Sequence, residues 1–322
     1  MAASAPSTPS PQPLVQPPAL TGRRARPRLT MQVRDNLFGL LLLTPMLVML
    51  TGIILYPLIY GISRGFYSVQ LLTLRSRFLG FDNFRRILFD STDFYRALWI
   101  DIEWSVSSVV LQLIIGVAIA LLLNQSFHGR AIARGLLIFP FLAPIIVVVL
   151  VWKWMFNDLY GIINYVLTSW GITHGPVLWL STTRWSLVSV VLASSWRLFP
   201  FIVVLVLARL QTIPRELYEA AKADGASRWA SFRDVTLPQL KGVLIIAIFL
   251  RFIFEFNDFN FIALMTGGGP AASTQTIPIF IQQQGFAQQR LGVAAAGSDL
   301  MLLCEVAFCV AYFLLVRKVQ DR

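Results

Sequence analysis

Charge is scarce in this sequence. Only 13% of its 322 residues are Asp, Glu, Lys or Arg, against roughly 25% in ordinary soluble domains. The scarcity is one-sided, with 16 acidic residues against 27 Lys and Arg. Cysteine and histidine are nearly missing, at two each. Cys304 and Cys309 share one apolar run, which excludes a disulfide framework and a thiolate metal site. They read as small apolar fillers of a helix. His128 and His174 stand far apart with no Cys or second His nearby, so no metal site is expected. There is no Gly-x4-Gly-Lys-Ser/Thr. Gly267-Gly268-Gly269 runs into Pro270 with no lysine to meet phosphates, and reads as a turn. A nucleophile elbow and a paired-carboxylate site in a soluble fold are also missing. No catalytic residue is therefore assigned, and the chain taken alone is not expected to be an enzyme.

What is present in excess is apolar sequence, 56% of the chain. A spanning helix needs about 20 largely apolar residues, and six runs qualify: 37–60, 98–124, 132–156, 185–210, 242–266 and 292–316. They define an all-α integral membrane domain over residues 37–316. The Pro-, Ser- and Ala-rich tail before it, residues 1–36, cannot bury a core and is expected to be disordered. A short tail, 317–322, follows it. The apolar run after the first tail is too long for the core of a signal peptide and lacks an evident cleavage site, so it reads as a retained first helix.

The basic excess of +11 would suit nucleic acid. Much of it flanks the apolar runs, however, where it meets lipid headgroups and orients the chain. With the N-terminus inside, the cytoplasmic side collects Arg23, Arg24, Arg26, Arg28 and Arg34. It also collects Arg130, Arg134, the bases between 209 and 241, and Arg317, Lys318 and Arg322. The segment 61–97, with Arg64, Arg75, Arg77, Arg85, Arg86 and Arg96, falls outside and counts against this reading. Six spans place both basic termini on one side. The expected topology is therefore N-in, C-in, with the loop 211–241 in the cytoplasm.

That loop holds YEAAKADGASRWASFRDVTLP, Tyr218–Pro238. Pro214 suits the first turn of a helix. Gly225 suits the left-handed position that ends it, and Ser227 can cap a second helix, which Pro238 is expected to stop. Leu217, Ala220 and Ala221 fall on one face of the first helix, Trp229 and Phe232 on one face of the second. Two readings fit: helices that plug into a groove of a partner protein, and an amphipathic hairpin lying on the lipid surface.

Glu219-Ala220-Ala221, three residues, Gly225, nine residues, then Val235-Thr236-Leu237-Pro238 resembles the EAA loop of ABC importer permeases, in which Ile stands at the position of Val235. FLGFDNFRRIL (Phe78–Leu88), LMTGGGPAASTQT (Leu264–Thr276) and GVAAAGS (Gly292–Ser298) are similar to stretches of the six-span permeases related to the maltose, glycerol-3-phosphate and trehalose importers. The resemblance covers nearly everything from residue 37 onward. It implies a type I ABC importer permease fold in a bacterial inner membrane, and the following partners: a second, homologous permease, a dimer of ATP-binding subunits that hold ATP and Mg, and an extracytoplasmic sugar-binding protein. It also implies that the loop is the coupling element held by the ATPase, with Glu219, Ala220, Ala221, Asp224, Gly225, Ala226, Leu237 and Pro238 as its residues.

Polar residues inside the apolar runs are the candidates for a solute path, because a charge at mid-membrane costs about 2.5–3.5 kcal/mol on insertion scales and must face protein or water. They are Arg197 and Trp196 in the fourth run, Glu255, Asn257, Asp258 and Asn260 in the fifth, and Ser298 and Asp299 in the last. Glu305 is equally out of place in lipid, and Phe252, Phe256 and Phe259 offer rings for a sugar. The same residues would serve as interhelical hydrogen-bond groups or as contacts to a second permease. Arg197 and Glu255 are a possible pair. A net acidic lining favours a monosaccharide or oligosaccharide over glycerol-3-phosphate. Readings from other classes are an ion-coupled secondary transporter, for which no internal repeat is found, and a membrane scaffold whose hairpin recruits a soluble protein.

Overall fold

The computed structural model describes residues 31–69 and 76–320. Contacts divide the chain into two units, one up to Pro57 and one from Leu58. In the first, α1 (Met31–Met49) continues through a π-helical turn, Leu50–Leu55, into the start of α2 (Tyr56–Arg64). Phe38, Leu41, Met46 and Ile53 are exposed. An apolar helix with no buried face requires lipid or another protein around it. Helix α1 begins inside the tail expected to end at residue 36; the remainder of that tail, Arg75 and Arg322 lie outside the described residues.

The second unit opens with a hairpin that the all-α expectation omitted. β1 (Tyr67–Val69) pairs antiparallel with β2 (Ser76–Phe78), Ser68 opposite Arg77. Within the arginine-rich segment 61–97 this strand pair is joined by α3 (Asp82–Phe89). Asn83, buried, donates to the carbonyls of Gly65 and Tyr67 at 2.8 and 2.9 Å, pinning α3 to the hairpin.

Two long helices form the centre, α4 (Asp93–Asn124) and, after three shorter ones, α8 (Thr183–Leu210). They approach so closely at Gly116 that a Cβ there would lie 2.6 Å from Ile202. Between them in sequence come α5 (Arg130–Leu142), α6 (Ile145–Met155) and α7 (Ile162–Ser169). The third span, expected as one helix over 132–156, is instead a pair bent by 94°. Ala143 and Pro144 are both extended, with ψ 136° and 133°. A proline disfavours helical geometry in the residue before it and offers no N–H to the preceding turn.

The loop helices α9 (Arg215–Ala223) and α10 (Arg228–Ser231) lead through a π-helical turn, Phe232–Thr236, into α11 (Leu237–Phe256). Pro238 does not stop the second loop helix as expected. The Leu237 N–H reaches back five residues to Phe232 O, and this wider turn takes the proline into a continuous helix, Arg228–Phe256. The fifth span also ends sooner than residue 266. The chain breaks at Asn257, and Asp258 Oδ1 accepts from Phe261 N at 3.0 Å to open α12 (Asn260–Met265). After the glycine turn come α13 (Ile277–Gln282), a π-helical turn, Gln283–Ala287, and α14 (Leu291–Gln320), which runs past the expected boundary at 316. Among the described residues, five helices, or six counting the bent pair, are long and apolar enough to cross a membrane.

Three apolar clusters hold the unit together. One joins Trp104, Val149, Phe156, Trp179, Phe261 and Met265. A second, at the loop end of α4 and α8, joins Leu123, Ile202, Val206, Leu210 and Leu240. The third seats α3 and α13 on α14 through Ile87, Phe94, Ile277, Phe280 and Val293.

Candidate functional site: the loop 211–241 and the intramembrane polar cluster

The loop is built as a rigid projection. Ile213, buried, anchors its start, and Pro214 at ψ 136° turns the chain into α9. Glu216 in the first turn and Lys222 in the last complement the helix dipole. The helix ends in a Schellman motif: Ala226 N donates to Ala221 O at 2.9 Å and Gly225 N to Lys222 O at 3.1 Å. Gly225 supplies the left-handed residue at φ +77°. A Cβ there would meet nothing within 4 Å, so the requirement for glycine is conformational, not steric. Ser227 caps α10 as expected, its hydroxyl accepting from Ala230 N at 3.2 Å.

Two contacts fix this projection to the spans. Tyr218 Oη lies 3.1 Å from Thr236 Oγ1, tying α9 to the root of α11. Arg209, at the end of α8, donates to both Gln239 O and Gln239 Oε1 at 2.9 Å. Neither contact was evident from the sequence, because each joins residues of unremarkable type across 18 or 30 positions. The loop's face is open. Glu219, Ala220, Asp224, Gly225, Leu237 and Pro238 are exposed, Ala221 and Ala226 half-buried. Trp229 is 69% exposed, its ring 5.5 Å from that of Phe232.

The polar residues of the spans divide into separate groups. Glu255 pairs with Arg251 one turn back on α11, not with Arg197. Gln112 of α4 closes the arrangement: Arg251 Nε donates to Gln112 Oε1 at 2.9 Å, and Gln112 Nε2 donates to Glu255 Oε1 at 2.8 Å. Trp104 Nε1 donates to Glu255 O at 3.1 Å. All four residues are buried. Arg251 and Gln112 were missed in the sequence, although Arg251 and Glu255 in one apolar run, four apart, carry the spacing of an intrahelical ion pair. The pair removes the basis for a net acidic lining, since Glu255 is compensated inside its own helix.

Asp258 caps α12 and lies within electrostatic reach of Arg197 and Arg251. Arg197 is half-buried and its Nε has no partner. Asn257 donates to Glu305, joining α11 to α14. Asp299 sits on Gly65, where a Cβ would come 2.5 Å from its Oδ2, and Ser298 bonds back to Ala294 O. These two and the exposed Asn260 stand apart from the Arg251 cluster. Of the rings, Phe252 stacks on Phe308 at 3.9 Å and on Phe256 at 5.8 Å, while Trp196 stands edge-on to Trp152 at 5.8 Å. Asp101, buried on α4, accepts from Ile277 N at 3.2 Å and fixes α13.

Residues 112–321 match the family model described as "Binding-protein-dependent transport system inner membrane component". The trehalose/maltose transport system permease protein MalF of Thermococcus litoralis is 33% identical over 90% of this chain and 97% of its own length. The inner membrane ABC transporter permease protein YcjO of Escherichia coli is 36% identical over 88% of this chain and 94% of its own. Among solved structures, a chain of a bacterial ABC transporter involved in the import of the acidic polysaccharide alginate superposes with a TM-score of 0.77, covering 91% of this chain and 99% of that one at 21% identity. The fold is that of this importer chain, and the protein belongs to the family of binding-protein-dependent transport system inner membrane components.

Proposed function

We propose that this chain is one of two homologous permease subunits of an ATP-driven importer for a sugar, a monosaccharide or oligosaccharide, delivered by an extracytoplasmic binding protein. ATP and Mg are held by a dimer of partner ATPases beneath it, and both termini and the loop 211–241 lie in the cytoplasm. The observation that carries the reading is the loop itself. Its EAA face is open, while its back is stapled to α8 and α11 through Arg209–Gln239 and Tyr218–Thr236. Such an element transmits a displacement instead of absorbing it. Helix α11 continues from the loop to Glu255 without interruption. Closure of the ATPases on ATP draws the loop, and the spans alternate between inward and outward exposure, biased by ATP on one side and loaded binding protein on the other. The sugar class rests on the relatives, whose names specify trehalose and maltose, sulfoquinovosyl glycerol and galactooligosaccharides.

The test is affinity purification of the tagged chain from solubilised membranes, with identification of what co-purifies. Recovery of a P-loop ATPase and a second multi-span permease, with ATP hydrolysis stimulated by a sugar-loaded binding protein, supports the reading. Recovery of the intact chain alone, with uptake that follows the proton gradient and not ATP, overturns it in favour of a secondary transporter.

A further inference from the structure

Helix α9 has a second face. Residues one turn apart, Tyr218 and Lys222, face α4 beside the EAA residues, with Lys222 three positions from Glu219. There they line a groove of about 1050 Å³. One wall is aliphatic: Leu113, Ile114, Val117 and Leu121 of α4, the last of these three residues before the helix ends at Asn124. The opposite wall is aromatic, from Trp229 and Phe232. Lys222 and Arg228 stand at the rim, both exposed. Neither makes an ion pair or side-chain hydrogen bond among the described residues, whereas Arg233 nearby is neutralised by Asp234 at 2.7 Å. The groove is therefore lined mainly by apolar side chains and carries at its mouth two positive charges that no carboxylate pairs with among the described residues.

We propose that this groove binds one anionic phospholipid of the cytoplasmic leaflet. The acyl chains lie along the α4 wall, and the headgroup phosphate meets Lys222 and Arg228. Three features fit this occupant together. Leu113 to Leu121 occupy about 12 Å of helix at 1.5 Å per residue, a depth within one leaflet. Arginine presents a planar fork that suits a phosphate, and lysine adds a point charge. Trp229, mostly exposed beside them, is the residue type that settles at headgroup level. A neutral lipid would leave both charges uncompensated, and a purely apolar protein helix would do the same. The proposal takes from the preceding reading only that the loop is cytoplasmic. The lipid would brace α9 from the side of α4 while the ATPase engages its exposed EAA residues, so the charge of the inner leaflet would bear on coupling.

The probe is phosphatidylglycerol against phosphatidylcholine. The purified assembly, or this chain by itself if no partner is retained, is reconstituted in nanodiscs of equal parts of the two lipids and analysed by native mass spectrometry. The expected result is one phosphatidylglycerol retained per copy of this chain in preference to phosphatidylcholine. The double substitution Lys222→Gln, Arg228→Gln lowers that retention by about tenfold. Both positions are exposed, so the variant retains its fold. A photo-crosslinking side chain at Ala118, which also lines the groove, attaches to lipid. Equal retention of the two lipids, unchanged retention in the double variant, or crosslinking of Ala118 to a second permease each overturns the proposal. These readouts need no transport or ATP hydrolysis, so they stand or fall separately from the importer reading.

Discussion

Gln112 on α4 donates from Nε2 to Glu255 Oε1 on α11 at 2.8 Å and accepts from Arg251 Nε at 2.9 Å. The amide thus bonds to both members of the ion pair, although Glu255 Oε2, also buried, has no hydrogen-bond partner among the described residues. The amide also locks α11, which continues from the loop 211–241, to α4, one of the two central helices of the bundle.

The first prediction follows from burial. Glu255 is 1% exposed and Arg251 6%. Removing one member of such a pair leaves an uncompensated charge in a low-dielectric interior, at a cost of about 3–5 kcal/mol. Glu255→Leu is expected to lower the melting temperature of the detergent-purified protein sharply. Gln112→Leu costs less, about 1–3 kcal/mol, because the charges still face each other. The triple change Gln112→Leu, Arg251→Met, Glu255→Leu recovers most of the loss, since apolar groups of similar volume need no partners. A triple variant less stable than Glu255→Leu would refute this account of the cluster.

The second prediction concerns Gly225. Because φ is +77° and open space surrounds the missing Cβ, the penalty for a side chain is torsional. Gly225→Asn is expected to work nearly as well as glycine, since Asn visits this region readily. Gly225→Val is expected to reshape the turn, abolish uptake and leave the amount of protein in the membrane unchanged. Uptake by Gly225→Val at the level of the native chain would mean that the turn geometry does not matter.

The third prediction separates the two faces of α9. Glu219 is exposed, so Glu219→Lys should weaken retention of the ATPase in purification without a change in thermal stability. Tyr218→Phe removes a hydrogen bond to Thr236 and should lower stability by about 1 kcal/mol, with the ATPase still bound. The reverse pattern in the two variants would place the partner on the other face.

Much of this architecture was readable because membrane spans and helix ends depend on local chemistry. Six apolar runs marked the spans. Pro214, Gly225 and Ser227 marked the loop helices to within a residue, each through a backbone preference that acts where it stands. What escaped was long-range or cooperative. Pro144 was visible in the sequence, but a proline inside an apolar run only permits a break, and the two arms of this 94° bend pack on different sets of neighbours, α5 on α8 and α6 on α12 and α8. Pro238 misled for a related reason, since a π-helical turn accommodates a proline that a regular helix could not. Arg197 looked like the partner of Glu255 because mid-span charges draw the eye; Arg251, one turn away on the same helix, was nearer. Gln112 carries no charge and lies about 140 positions upstream, so nothing local distinguished it.

The fourth prediction tests orientation. Both native cysteines, Cys304 and Cys309, lie half-buried in α14, and their replacement by serine or alanine clears the background. A single cysteine at Asp224 sits on the exposed loop, and one at His174, also exposed, lies on the segment between α7 and α8, at the opposite end of α8. If the loop is cytoplasmic, an impermeant thiol reagent added to intact cells stripped of outer layers labels the cysteine at His174 and spares that at Asp224. In inverted vesicles the two exchange. The arginines of the segment 61–97 pull against this orientation by the charge rule. Of these, Arg77 lies in β2 and Arg85 and Arg86 in α3, and the segment's six arginines are outnumbered by the Lys and Arg of the tails and loops assigned to the other side. Labelling of Asp224→Cys from outside would show that the charge of that segment had decided the topology, and the coupling loop would then face no ATP.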